Sequence, residues 1–314
     1  MNAHAVAITR RGWLLFAAMC VIWGIPYLLI KVAVRDLSPA MLVLCRTGIG
    51  ALILLPIAAS RGTLAPALAR WRGVLLFGLV EMAIPWWLLS NAETKLSSSL
   101  TGLLVAAVPL AGALIVWTTR GRERLGVSNA FGLLLGFAGV SALVGFNLGD
   151  VSARPVIEVA VVVVCYALGP LILSRMLSDL PPFGVITVSL AATALVYIPI
   201  AAFSLPSSRP SGEVILSVLT LSAVCTSLAF LIFFALIDLV GPVRATVITY
   251  VNPAVAALLG VTILGESFTF GMAIGFVLIL AGSALATRPS GRSPLVTPPP
   301  ETTPLEPVPV SWTG

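Results

Sequence analysis

Ten apolar runs follow one another along the 314-residue chain, each close to the length of a membrane-crossing helix and separated by short connections. They cover residues 13–34, 39–59, 73–92, 97–118, 127–146, 156–175, 182–203, 214–237, 243–264 and 268–287. A hydrocarbon core about 30 Å thick is crossed by about 20 apolar residues of α-helix. Lipid admits only structures whose backbone polar groups are satisfied internally. The pattern therefore predicts an all-α integral membrane protein with ten transmembrane helices. Composition agrees: 59% of the residues are hydrophobic and 10% charged, where a soluble domain carries roughly 25% charged residues. A water-soluble fold would leave much of that apolar surface uncovered.

The distribution of cations predicts the orientation. With the amino terminus in the cytoplasm, one side holds Arg10, Arg11, Arg61, Arg70, Arg72, Arg120, Arg122, Arg124, Arg175, Arg244, Arg288 and Arg292. The other holds Arg35, Lys95, Arg154 and Arg209. The imbalance places both termini in the cytoplasm of a multi-pass cell-membrane protein. Trp13, Trp71 and Trp117 fall at span ends, where an interfacial aromatic belt sits. The start, Thr9-Arg10-Arg11-Gly12-Trp13-Leu14, resembles a twin-arginine export signal. The apolar run behind it is too long for a signal, contains Lys31 and leads into further spans. Residues 1–12 are read as a cytoplasmic amino terminus. Residues 288–314, with eight prolines between Pro289 and Pro309, are read as a disordered cytoplasmic tail.

The net charge of +6 is accounted for by topology, so no nucleic-acid partner is expected. The single histidine, His4, precedes the first span, which leaves no histidine for a zinc site, a proton relay or a Ser-His pair within the membrane. Cys20, Cys45, Cys165 and Cys225 all lie in apolar runs without metal-ligand spacing and read as small buried hydrophobes. No GxGD-type aspartate pair and no GxxxxGK[ST] loop occurs. These features point away from an enzyme, from direct ATP drive, and from any metal or cofactor.

The chain also repeats itself. At an offset of 143 residues, Asp36-Leu37 matches Asp179-Leu180, Pro39 matches Pro182, and Pro56-Ile57-Ala58 matches Pro199-Ile200-Ala201. Glu123 matches Glu266, Gly132 matches Gly275 and Gly139 matches Gly282, and Pro109 matches Pro253 with one extra residue. The repeats are 13–146 and 147–287, with five spans each. Because five is odd, the second repeat enters the membrane from the opposite side. Two inverted five-helix repeats are a common architecture of secondary transporters that work by alternating access. Breaks at matched positions point to a shared hinge or cavity, or to an inherited packing kink. The candidate hinges are Pro26, beside Gly24, and Pro170, beside Gly169, with Pro109 and Pro253 in mid-span.

Several stretches together resemble the EamA branch of the drug/metabolite transporter superfamily. They are Tyr250-Val251-Asn252-Pro253, Ala257-Leu258-Leu259-Gly260, Leu264-Gly265-Glu266, Gly275 and Ala281-Gly282 in the last two spans. Trp23-Gly24, Lys31, Asp36-Leu37-Ser38-Pro39 and Arg46 in the first two spans add to the likeness. The resemblance covers about residues 13–287. It implies ten helices and export of amino acids or other small metabolites. The chain departs from the pattern at Trp86-Trp87, at Asn91-Ala92-Glu93-Thr94 and at Ser97-Ser98-Ser99, where relatives often carry an aromatic-Ala-Leu stretch.

Three ionisable residues stand out within the spans: Lys31, Arg46 and Glu81. Each charge in the membrane costs a few kcal/mol when unpaired. Their repeat counterparts are Ser174, Ser189 and Val224, so the scaffold does not require them. Two readings stand open. In one, Arg46 and Glu81 form a structural ion pair and Lys31 snorkels. In the other, Arg46, with Lys31, attracts a substrate carboxylate while Glu81 binds an ammonium group or carries a proton. Trp23, Trp86, Tyr166, Tyr250 and Asn252 are candidates to line a cavity or to pack between helices. Gly132 and Gly136 form a GxxxG pair that allows close helix approach within the chain or in a homodimer. The leading expectation is a secondary transporter for a small organic metabolite, an amino acid or a similar amphipathic compound, working in efflux. A channel or a non-transporting scaffold is the alternative.

Overall fold

A computed structural model describes residues 9–119, 126–147, 152–206, 208–241, 245 and 247–287. The expected cytoplasmic start up to residue 8, the proline-rich tail, and Arg120, Arg122, Arg124 and Arg244 lie outside the described residues. Every regular element among the described residues is helical. Ten membrane-length elements are labelled here α1 to α10. α1 runs Arg10–Ile22 and Pro26–Ala33, α2 Pro39–Ser60, α3 Trp71–Glu93, and α4 Ser98–Val105 and Val108–Thr119. α5 is Val127–Asn147, α6 Ala153–Met176, α7 Pro182–Ala202, α8 Gly212–Val240, α9 Ile248–Leu264 and α10 Phe270–Ala286. Eight are long and apolar enough to cross a bilayer by length and composition alone. α9 and α10 have 17 residues each, about 25 Å of helix, a mismatch that local thinning of the bilayer accommodates.

Side-chain caps set many of the boundaries. Thr9, Ser38, Ser97, Ser211 and Thr269 each accept a backbone N–H three residues ahead, which satisfies a donor that the first helical turn leaves open. Inside the helices the irregularities are of two kinds. α1 is broken at Trp23–Ile25 and α4 at Ala106–Ala107, just before Pro26 and Pro109. α3 and α8 instead widen into π-helix, over Leu79–Ala83 and Ala223–Leu228. These two segments fall at equivalent places in the repeat.

The expected matching of proline breaks does not hold. Pro170 lies inside α6 and Pro253 inside α9, and both helices continue through them. A proline removes one backbone hydrogen bond and crowds the preceding turn, and a membrane helix tolerates that where neighbours hold the freed groups. In α1 and α4 the helix does break, and the amides ahead of the proline turn to nearer carbonyls. In α1 the Gly24 N–H turns to Val21 O at 3.0 Å instead of Cys20 O. In α4 the Ala106 and Ala107 N–H groups turn to Leu103 O and Leu104 O.

Helices at equivalent places in the two halves pack on one another. α5 lies along α10, α2 along α7 and α4 along α9, while α1 meets α8 and α3 meets α6. Gly139 faces the Gly275 carbonyl and Gly132 faces Gly282 and Ala286, so α5 and α10 run antiparallel. A Cβ on Gly139 would stand 2.8 Å from Gly275 O, and one on Gly275 would stand 2.9 Å from Gly139 O. Only glycine permits so close an approach. Gly132 and Gly136 both pack within the chain, the first on α10 and the second against Leu110 and Gly282. The GxxxG face is thus used inside the chain rather than offered to a second copy. α2 and α7 are antiparallel too: Ser38 meets Ser204 at one end and Thr63 meets Gly184 at the other.

Candidate functional site

The polar centre is built on Arg46, two turns into α2. It is 8% exposed, although it lies in a helix of membrane length. Its guanidinium carbon stands 3.6 Å from the centroid of the Trp86 ring, a cation–π contact worth about 2 kcal/mol when desolvated. Its Nε donates to Thr226 Oγ1 at 3.0 Å. Thr226 belongs to the π-helical segment of α8, where its own hydroxyl donates to Leu221 O at 2.9 Å. The i→i−5 reach of that bond follows from the wider turn, which also turns Thr226 toward α2. Tyr27 on α1 and Tyr166 on α6 lie within electrostatic reach of the guanidinium.

Among the described residues no carboxylate comes within ion-pair distance of Arg46, so the structural Arg46–Glu81 pair is not formed. Glu81 sits in the π-helical segment of α3 and faces α6, with its Oε2 against Gly169, where a Cβ would collide with it. That oxygen has no hydrogen-bond partner. Gly169 thus makes room for a carboxylate rather than breaking its helix. Tyr166 lies within electrostatic reach of both Arg46 and Glu81.

Lys31 has a different place. Its Nζ donates to Glu93 O at 2.6 Å and to Leu96 O at 2.7 Å, binding the last carbonyl of α3, where a cation is favoured by the helix dipole, and one in the turn that follows. On the far side of the same turn, Glu266 accepts from the N–H groups of Ser98 and Ser99 at 2.7 and 2.8 Å and from their hydroxyls at 3.1 and 2.6 Å. The α3–α4 turn is therefore clamped by a cation on its carbonyl side and an anion on its amide side.

The remaining candidates separate. Trp23 packs on Phe233 and Phe230 of α8, with ring centroids 4.8 and 6.1 Å away, in an aromatic group apart from Arg46. With its amide nitrogen turned to satisfy both carbonyls, Asn252 donates to Cys20 O at 3.1 Å and to Ile248 O at 3.0 Å. Cys20 O is the group that the break at Gly24 sets free, so Asn252 is a tie between α9 and α1. Tyr250 is half-buried in the first turn of α9 and makes no hydrogen bond or ring contact to Arg46. Of the proposed hinges, Pro26 and Pro109 adjoin real breaks. Pro170 stands beside the glycine that receives Glu81.

Two buried carboxylates were missed by sequence reasoning. Glu93, at the end of α3, is fully buried and lies one residue past the expected span. Glu158 lies inside the expected sixth span; Asn91 Nδ2 donates to both of its oxygens at 2.8 and 2.9 Å, and Arg154 pairs with it at 2.9 Å. A plain inventory of acidic residues in and next to each apolar run finds both. No signal pointed to Thr226, because its role depends on a π-helical turn.

Loop contacts gather at two ends of the molecule. The α1–α2 loop joins the α7–α8 loop through Asp36 Oδ2 and Ser211 N at 2.8 Å, Arg35 and Glu213 at 3.7 Å, and Ser38 and Ser204 at 2.8 Å. At the other end of α2, Arg70 in the α2–α3 connection pairs with Asp179 in the α6–α7 loop at 2.8 Å. Asp36 and Asp179 are repeat counterparts. The Ser211 N–H, more than any neighbouring charge, holds the Asp36 carboxyl below the usual carboxylate range.

Ten apolar helices enclosing a buried cation and partly unsatisfied carboxylates define a multi-pass membrane protein with a polar interior. The chain belongs to the EamA-like transporter family, whose model matches residues 10–145 and again 154–288. It is similar to the uncharacterized transporter YvbV of Bacillus subtilis, with 25% identity over 285 residues, 89% of this chain and 92% of that protein. It is also similar to the uncharacterized inner membrane transporter YedA of Escherichia coli K12, with 28% identity over 260 residues, 80% of this chain and 82% of that one. An uncharacterized transporter of Archaeoglobus fulgidus is 24% identical over 88% of this chain and 99% of its own. A solved crystal structure shares the fold, with a TM-score of 0.63 at 23% identity, covering 88% of this chain and 96% of the other.

Proposed function

We propose that this protein is a secondary transporter that moves a small carboxylate-bearing metabolite, an amino acid or a similar amphipathic compound, outward by alternating access. Arg46 is the anchor for the carboxylate. The observation that carries the reading is a buried guanidinium held on Trp86 and by one neutral hydroxyl, with no carboxylate among the described residues against it. An arginine in a membrane helix needs a partner, and its planar fork suits a carboxylate. Glu81, which shares the neighbouring Tyr166 with Arg46, takes the substrate's ammonium group. The antiparallel packing of equivalent helices supports the inverted-repeat reading. So do equivalent loop contacts at opposite ends of α2, which is about 33 Å long at 22 residues. Those contacts are the groups that exchange as access alternates, with both termini on the cytoplasmic side.

The test is uptake and exchange in proteoliposomes with a panel of amino acids and related metabolites, with and without a pH gradient. Arg46→Gln weakens binding of carboxylate substrates roughly 10- to 100-fold, the equivalent of about 1.5–3 kcal/mol for hydrogen bonds to a charged group. Glu81→Gln impairs substrates with an ammonium group, and both variants keep a normal yield and melting temperature. Unchanged transport in both overturns the reading, and conductance at channel rates replaces the carrier with a channel.

A further inference from the structure

The carboxylates in and beside the helices differ in how they are satisfied, and Glu81 leaves one oxygen without a partner. Glu266 accepts four hydrogen bonds and Glu158 three. Glu93 is 0% exposed, and neither of its oxygens has a hydrogen-bond partner. A lone ionised carboxylate in such a place costs several kcal/mol. A charge there is tolerated only if a cation comes to it, and a proton removes the charge, leaving the smaller cost of a neutral carboxyl without a partner.

The cation is next to it but committed elsewhere. Lys31 Nζ binds the backbone carbonyls of Glu93 and Leu96, and no ion pair joins the ammonium to the Glu93 carboxylate. An ammonium has three donors, and a flexible stem lets it swing. The charged and titratable groups around Glu93 are Lys31 and Tyr27 on α1, Arg46 on α2 and Glu266 from the α9–α10 loop. Across from α3, α6 presents Glu158, already bonded to Asn91 and Arg154. Glu266 is held by its four donors and Arg46 by Trp86 and Thr226, so Lys31, bound to two backbone carbonyls next to Glu93 and with a third donor, is the cation placed to answer a new charge.

We propose that Glu93 is a proton-binding site with Lys31 as its counter-charge, and that the proton it carries drives transport. With Glu93 protonated, Lys31 clamps the carbonyls of the α3–α4 turn, as in this structure. When the carboxylic acid gives its proton to water on the open side, the carboxylate draws the ammonium, which stays charged throughout. Lys31 then leaves the Leu96 carbonyl, and the turn, still held by Glu266 on its amide side, loses its tie to α1. Proton release is thereby linked to movement of the α3–α4 turn and α4 against α1. The coupling rests on the transporter reading; the proton site does not.

The two are tested separately. Infrared difference spectra of the protein in lipid, titrated from acid to alkaline buffer, show a buried protonated carboxyl band that disappears as the proton leaves. Glu93→Gln lacks this band and Glu81→Gln keeps it. A full band in Glu93→Gln overturns the site. Should Glu93→Gln fail to fold, Glu93→Asp must shift the band, and an unshifted band overturns the site equally. Coupling is read in proteoliposomes containing a pH indicator, with the amino-acid panel as probe. Wild type moves protons with substrate, and Glu93→Gln abolishes proton movement. Substrate flux in wild type without proton movement overturns the coupling and leaves the carrier standing. No flux of any kind overturns the carrier and the coupling with it, while the infrared result still decides the proton site.

Discussion

Glu266→Gln tests the clamp on the α3–α4 turn with little change in shape. Glutamine keeps the length of the side chain. With its oxygen in the place of Oε2 it still meets Ser98 Oγ, Ser99 N and Ser99 Oγ. Its NH2 group then confronts the Ser98 N–H, which donates to Oε1 at 2.7 Å in the native protein. One charged hydrogen bond is lost, worth about 1.5–3 kcal/mol, and three become neutral. The favourable placement of an anion at the start of α4, about 0.3–1 kcal/mol, is lost as well. Relief from desolvating the carboxylate offsets part of this, leaving a net loss of about 2–4 kcal/mol. The assay is thermal unfolding of the purified protein followed by fluorescence-detected gel filtration. The melting temperature falls clearly in Glu266→Gln, and the fall shrinks in a Ser98→Ala, Ser99→Ala background because the partners are shared. A Glu266→Gln protein that melts at the wild-type temperature refutes the clamp.

Further substitutions probe the contacts between the halves. Gly139→Ala places a Cβ 2.8 Å from both Gly275 O and Ile279 N, so two backbones must separate, at a cost of about 1–3 kcal/mol. Gly112→Ala meets nothing within 4 Å and stays within about 0.5 kcal/mol of wild type; equal melting of the two variants contradicts the close α5–α10 packing. Asn252→Ala leaves the Cys20 carbonyl without its donor and costs about 1–3 kcal/mol. Asn252→Asp is at least as harmful, since a carboxylate has no donor to offer two carbonyls. A stable Asn252→Asp protein removes Asn252 as the tie between α9 and α1.

Several features explain themselves once the helices are packed. The Leu264-Gly265-Glu266 stretch, which carries part of the family likeness, has a local reason. Gly265 ends α9 with a φ of 68°, a left-handed turn that glycine adopts without strain. That turn delivers Glu266 to the amides of α4. The Ser97-Ser98-Ser99 stretch, read as a departure from the family pattern, supplies the cap and the donors for that carboxylate. The aromatic pair Trp86-Trp87 divides likewise, with Trp86 placed under the Arg46 guanidinium.

The ten-helix plan was legible in the chain itself, because hydropathy and helix length are set by the solvent each residue must face. The repeat is a feature of the sequence itself, where Pro39 and Pro182 or Gly139 and Gly282 stand at one offset. The intramembrane charges were visible as residues but not as relationships. Whether Arg46 would meet Glu81, Thr226 or Trp86 depends on how three helices, α2, α3 and α8, rotate about their own axes. A one-residue widening to π-helix changes that rotation without leaving a mark in composition. Proline likewise showed where a backbone donor is missing, but only the neighbouring helices decided whether the chain breaks there, as at Pro26, or continues, as at Pro170. Glu93 looked like the edge of an apolar run. Burial among α1, α3 and the α9–α10 loop turned it into a carboxylate with no donor of its own.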